Sequence, residues 1–107
     1  MAQRKKTSFE EEGSVNVVTK QKVTTPPLYA VFLHNDDYTS MEFVVSILRG
    51  VFFKQEQEAV QLMLTVHKTG VACCGVYSRE IAEAKVALVA AKARQANFPL
   101  RCTMEKA

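Results

Sequence analysis

The side chains of this 107-residue sequence that could do chemistry are two histidines, three cysteines and a pair of adjacent aspartates. His34 and His67 could in principle join Cys73 and Cys74 around a metal, but their spacing fits no common zinc pattern. Cys73, Cys74 and Cys102 are odd in number and none stands in a C-x-x-C arrangement, which argues against a disulfide framework and for a reducing compartment. A Cys-His nucleophile needs an activated thiol. These three cysteines lie in apolar, strand-like stretches, where a cysteine usually serves as a small core residue. Asp36 and Asp37 are neighbours, so on extended backbone they point apart and do not form an acid/base pair. There is no G-x-S-x-G, no glycine-rich phosphate loop and no H-E-x-x-H. The residues therefore predict no enzyme and no cofactor.

A polar cluster between two apolar ones remains. Asn35 and Asp36 leave a predicted strand and lead into a helix that begins near Met41. His67 stands one residue beyond Val66 and four beyond Met63, near the end of a second helix. By residue type alone the cluster can be a turn, the histidine a helix-end residue favoured by the dipole, and the methionines core filler.

The elements that must position these residues follow from periodicity. Residues 28–33 are an apolar run that reads as a buried strand, ended by His34-Asn35-Asp36-Asp37. Thr39 and Glu42 have the spacing of a capping box, and a helix to about residue 53 puts Val44, Ile47, Leu48, Val51 and Phe52 on one face. A second helix, 55–68, turns Ala59, Leu62, Met63 and Val66 inward and stops at Gly70. Residues 71–77 read as a buried strand, and Ser78 can cap a third helix, 79–96, with Ile81, Leu88 and Ala91 along one stripe. After Pro99, the residues Leu100, Cys102 and Met104 alternate with Arg101, Thr103 and Glu105, the period of a half-exposed strand. The predicted fold is α+β in the order β-α-α-β-α-β: a three-stranded antiparallel sheet with three helices on one face.

Composition narrows the function classes. The chain is 48% hydrophobic and 23% charged, which is ordinary for a soluble globular protein. No apolar run approaches the ~20 residues that cross a bilayer, and no secretory signal precedes the domain, so no membrane partner and a cytoplasmic location are expected. Of the fourteen basic and eleven acidic side chains, Arg4, Lys5, Lys6, Lys20 and Lys22 with Glu10, Glu11 and Glu12 precede Pro26. The rest is nearly balanced, without the basic face that nucleic acid requires. Residues 1–26 are polar and poor in large apolar side chains, so they read as a flexible tail ahead of a domain at 27–107.

The run Asn35-Asp36-Asp37-Tyr38-Thr39-Ser40-Met41-Glu42-Phe43-Val44 closely resembles the N-D-D-Y-T-P-M-E-F-V signature of ClpS adaptors. Gln61-Leu62-Met63-Leu64 with Val66-His67, Cys74-Gly75-Val76-Tyr77, Ala82-Glu83, Lys85-Val86-Ala87 and Pro99-Leu100 leading to Cys102-Thr103-Met104-Glu105-Lys106 follow in family order. The resemblance spans essentially the whole domain and implies a fold similar to the C-terminal domain of a ribosomal stalk protein. It also implies an adaptor that binds N-degron (N-end rule) substrates beginning with Leu, Phe, Tyr or Trp, docks on the N-terminal domain of the ClpA unfoldase, leaves degradation to ClpP, and catalyses nothing.

The resemblance assigns the substrate α-amino group to Asn35, Asp36 and His67. The apolar wall falls to Thr39, Met41, Val44, Met63, Val66 and Leu100, with Leu33 behind and Met41 as the gate against β-branched termini. Glu80 and Lys85 match positions used against the unfoldase, and the tail is the segment that the unfoldase engages. Two residues depart from the pattern. Ser40 replaces a proline inside the recognition loop, which loosens its backbone, and His34 replaces an apolar residue beside Asn35. Both raise the prospect of a specialised second copy with a narrowed substrate set. The competing readings are an interaction-only domain with the stalk fold and no amino-terminal pocket, the recognition module of a ubiquitin ligase, and a small Cys-His hydrolase. The 107-residue length with no RING attached counts against the ligase.

Overall fold

The structure, a computed structural model, describes residues 26–107; the tail expected at 1–26 lies, apart from Pro26, outside the described residues. The order is β1 (Leu28–His34), α1 (Met41–Gly50), α2 (Glu56–Thr69), β2 (Val71–Ser78), α3 (Arg79–Gln95) and β3 (Arg101–Lys106). β1 is the central strand and pairs antiparallel with both neighbours, giving the order β2-β1-β3. The fold agrees with the expected β-α-α-β-α-β sandwich of one sheet and three helices.

Register explains which residues reach the core. Leu33 stands opposite Ala72 and Cys102, and Val31 opposite Met104, so these side chains share the helix-facing side of the sheet. Val31 and Leu33 are fully buried there with Val44, Ile47, Leu48, Val51 and Phe52 of the α1 region, Ala59 and Val66 of α2, and Ala82, Val89 and Ala93 of α3. The opposite side of the sheet carries Phe32, His34, Cys73, Arg101 and Thr103, and among the described residues no helix lies over it. Among the described residues no helix is long and apolar enough to cross a membrane.

Several expectations are corrected. β2 was expected to be a buried strand, yet Val71, Cys73, Val76 and Ser78 are exposed, because it is an edge strand with one uncovered face. Cys73 is consequently exposed, while Cys74 is buried and Cys102 half-buried. On α3 the inward stripe is Ala82, Val89 and Ala93, and Ile81 and Leu88 face outward. Both stripes have helical spacing. The small residues are chosen because they let the helix lie close to the sheet.

The start of α1 also differs from expectation. Its N-cap is Ser40, whose Oγ accepts the Phe43 N–H at 3.1 Å, and not Thr39, whose hydroxyl is committed elsewhere. The helix ends at Gly50, short of residue 53, and Phe53 takes a left-handed φ of 56°. Ser78 is the N-cap residue of α3, but its side chain makes no capping bond. α2 stops as expected at Gly70, where a φ of 94° suits glycine and its N–H bonds to the Val66 carbonyl.

Candidate functional site

Three local features bring separate segments to one place. Beyond β1 the backbone N–H of Asn35 donates to the carbonyl of Gly70 at 2.9 Å, which ties the loop after β1 to the end of α2. Ser40 then starts α1 so that Met41 and Val44, three residues apart, share a face. On α2, Met63, Val66 and His67 are spaced three and four apart and likewise share one. Where these faces meet, Asn35, Asp36, Asp37, Thr39, Met41, Val44, Met63, Val66 and His67 line a cavity of about 210 Å³. That is below the ~300–1,000 Å³ of drug-sized ligand sites and suits a single side chain.

Of the nine residues expected at the amino-binding site and the wall, eight line this cavity. Leu100 is the exception: it lies in the core with Leu33 and is not among the lining residues. Asp37, read from the sequence as a turn residue, does line it; its place in the Asn35-Asp36-Asp37 run was the only available signal. His34 does not. Its side chain is on the uncovered side of the sheet, with Nε2 2.7 Å from Thr103 Oγ1, and burial together with nearby Arg101 lowers its pKa. Wider concavities run along the outer side of α2, but their described lining comes from that helix alone.

The electrostatics of the cavity favour a cation. Among the described residues the lining holds two carboxylates and no lysine or arginine. Burial pushes the Asp36 carboxyl up, but bonds from the Thr39 hydroxyl and from the Thr39 and Tyr38 N–H groups outweigh it and hold it below the ordinary carboxylate value. Those bonds measure 2.7, 2.7 and 2.8 Å. Rim and floor differ as a recognition site requires: Met41 is 44% exposed at the mouth and Val66 is 2% exposed below.

The arrangement is poorly suited to nucleophilic chemistry. Thr39 gives its proton to a carboxylate held below its ordinary pKa, which is a weak base and activates the hydroxyl little. Burial pushes the thiols of Cys74 and Cys102 up to about 12, away from the reactive thiolate form. Among the described residues no group of three or more His, Cys, Asp or Glu could hold a metal.

Glu80 and Lys85 lie on α3, away from this cavity. Glu80 is exposed in the first turn. Lys85 is half-buried, and its Nζ donates to the Val51 carbonyl at the end of α1 at 2.6 Å. It also lies 4.9, 5.1 and 5.8 Å from the ring centres of Phe53, Tyr77 and Phe52. Its ammonium caps a helix and gathers three aromatic rings, leaving Phe53 79% exposed beside it.

Comparison with known proteins agrees with the geometry. The family described as "ATP-dependent Clp protease adaptor protein ClpS" matches residues 24–103. A ClpS adapter protein of Lawsonia intracellularis is 47% identical over 106 residues, covering 99% of this chain and 97% of the relative. One of Nitratidesulfovibrio vulgaris is 54% identical over 90 residues, covering 84% and 90%. Among solved structures, Agrobacterium tumefaciens ClpS2 bound to L-phenylalaninamide superposes with a TM-score of 0.75 at 41% identity, covering 78% of this chain and 100% of that one.

Proposed function

This chain belongs to the ClpS family of Clp protease adaptor proteins, and on that premise we propose that it captures proteins by a free N-terminal Leu, Phe, Tyr or Trp and delivers them to the ClpA unfoldase of the ClpAP protease. One observation carries the reading. Three groups able to accept, Asn35, Asp36 and His67, meet an apolar wall in a cavity whose described lining holds two carboxylates and no lysine or arginine.

An α-ammonium group is a cation with three N–H donors, and each must find an acceptor when it leaves water. The amide oxygen of Asn35, the carboxylate of Asp36 and a neutral ring nitrogen of His67 supply one each. The side chain of the first residue then enters between Met41, Val44, Met63 and Val66. Burying Leu or Phe contributes ~1.5–3 kcal/mol, against ~0.8 kcal/mol for a single methylene, which separates bulky from small termini. An acetylated terminus has no charge and too few donors, so it is rejected. The L-phenylalaninamide bound by the Agrobacterium relative has the same parts: a free amino group, an apolar aromatic side chain, and an amide where a peptide would continue.

Delivery uses other surfaces. Glu80 offers an exposed carboxylate to the unfoldase, while Lys85 contributes by organising Phe53 beside it. The segment before Pro26 is the part that the unfoldase engages. The adaptor itself catalyses nothing, and three free cysteines suit a reducing, cytoplasmic setting.

The test is a titration of a fluorescent peptide beginning with Leu against its N-acetylated twin. Saturable binding of the first and none of the second is expected. Equal binding of both, or of neither, would leave a plain interaction domain, and consumption of the peptide would mark a hydrolase.

A further inference from the structure

The hydroxyl of Thr39, expected to be part of the apolar wall, is bonded to the carboxylate of Asp36. An ionised carboxylate offers about four acceptor directions. Oδ1 of Asp36 receives two N–H groups, from Tyr38 at 2.8 Å and Thr39 at 2.7 Å. Oδ2 receives the Thr39 hydroxyl at 2.7 Å. Three directions are occupied, and the one that remains is on Oδ2. Thr39 Oγ1 has given its only proton to that oxygen, so towards any third group it can only accept. Both residues line the cavity.

We propose that Thr39 is the positioning residue of the amino-terminal site: its hydroxyl holds the Asp36 carboxylate so that the last free direction of Oδ2 meets the ligand's ammonium. The inference rests on the reading that this cavity binds a free α-amino group, and it adds which atom of Asp36 does so and what aims it. Without the hydroxyl, Asp36 keeps its two backbone bonds through Oδ1 but loses the one bond recorded at Oδ2, so that oxygen is held less firmly. The loop stays formed while the acceptor loses its aim.

A wall residue and a positioning residue respond oppositely to two conservative changes. Thr39→Val keeps the shape and the methyl group and loses the hydroxyl. Thr39→Ser keeps the hydroxyl and loses the methyl. The probe is the fluorescent Leu-initiated peptide with its N-acetylated twin, on full-length protein whose folding is followed by thermal melting. Thr39→Val is expected to weaken binding of the free-amine peptide by about tenfold or more, since a hydrogen bond to a charged group is at stake. Thr39→Ser is expected to stay within about threefold of the parent. Affinity of Thr39→Val within about threefold of the parent, or a larger loss in Thr39→Ser than in Thr39→Val, would overturn the proposal and return Thr39 to the wall. If Thr39→Val does not fold, Thr39→Ser and Thr39→Ala decide the same question, because both lack the methyl and differ in the hydroxyl; equal affinities would overturn it. A parent protein that binds neither peptide would remove the amino-terminal reading and this inference together, a result distinct from a variant that merely matches the parent.

Discussion

Replacing Asp36 by asparagine keeps the shape but removes one charge and turns one acceptor oxygen into a donor, so it measures what the carboxylate contributes to recognition. The amide oxygen of Asp36→Asn can still accept the N–H groups of Tyr38 and Thr39 that now meet Oδ1. The loop between β1 and α1 should therefore keep its path. The ligand's ammonium, in contrast, loses a charged acceptor. Truncating one partner of a fully buried charge pair costs ~2–5 kcal/mol, but Asp36 is only half-buried, and water and salt screen a site at the rim. The lower scale of ~1.5–3 kcal/mol for a hydrogen bond to a charged group is the better guide. It corresponds to a loss of about tenfold to about 150-fold in affinity. Fluorescence anisotropy with a Leu-initiated peptide reads this directly, and Asp36→Ala should lose at least as much because it also frees both backbone donors. An Asp36→Asn protein that melts like the parent and binds within about threefold of it would refute the assignment. Acid provides a second readout. The folded carboxyl titrates below its ordinary value, so its contribution to stability is fully present above the unfolded pKa of ~3.9 and is lost as pH falls through the lower folded pKa. Over that acid range the melting temperature should fall less in Asp36→Asn than in the parent.

Met41→Ala should admit Val- and Ile-initiated peptides that the parent rejects, because it opens the mouth of the cavity at little cost to Leu or Phe; continued rejection would place the gate elsewhere. His67→Phe removes the ring nitrogens and should weaken binding of the free-amine peptide by about tenfold or more, while His67→Gln, which can still offer an acceptor oxygen, should lose less; parent-like affinity in His67→Phe would remove His67 from the site. Deleting residues 2–20 should leave peptide affinity intact while slowing substrate degradation by a reconstituted ClpAP; a large loss of affinity would show that the segment contributes to the pocket. Lys85→Met should destabilise the fold by ~1–2 kcal/mol in denaturant titrations, through loss of the bond to the Val51 carbonyl and the contacts with three rings. A variant as stable as the parent would mean that Lys85 is held only loosely there.

The legible parts of this protein are those encoded within a few residues. The α1 face of Val44, Ile47, Leu48, Val51 and Phe52, the stop of α2 at Gly70 and the half-exposed alternation of β3 follow from periodicity and backbone preference. The structure keeps the first two; on β3 the sides alternate with register, but Thr103 is half-buried like Cys102 and Met104. The Asn35-Asp36-Asp37 run, contiguous in the chain, also lines the candidate cavity. The start of α1 was less legible because two adjacent hydroxyls compete for it. Thr39 and Glu42 have capping-box spacing, but the Thr39 side chain bonds to Asp36, and Ser40 takes the cap.

What the sequence by itself determined is the set of elements, their order, and the polar and apolar groups that each could present. Tertiary structure decided which of those groups meet. A helix with two possible apolar stripes buries the one that lets it approach the sheet, so Ala82, Val89 and Ala93 go inward while Ile81 and Leu88 stay out. A strand that is apolar on both sides buries only one when it lies at an edge, so Cys73 is exposed and Cys74 is not. Leu100 packs into the core with Leu33, and Lys85 turns its ammonium to the end of α1, 34 residues away in the chain. The two sides of the cavity are tied together by the bond between Asn35 and Gly70. These outcomes depend on contacts between residues far apart in the chain, and such contacts are set by the packing of whole elements, which no short window of sequence contains.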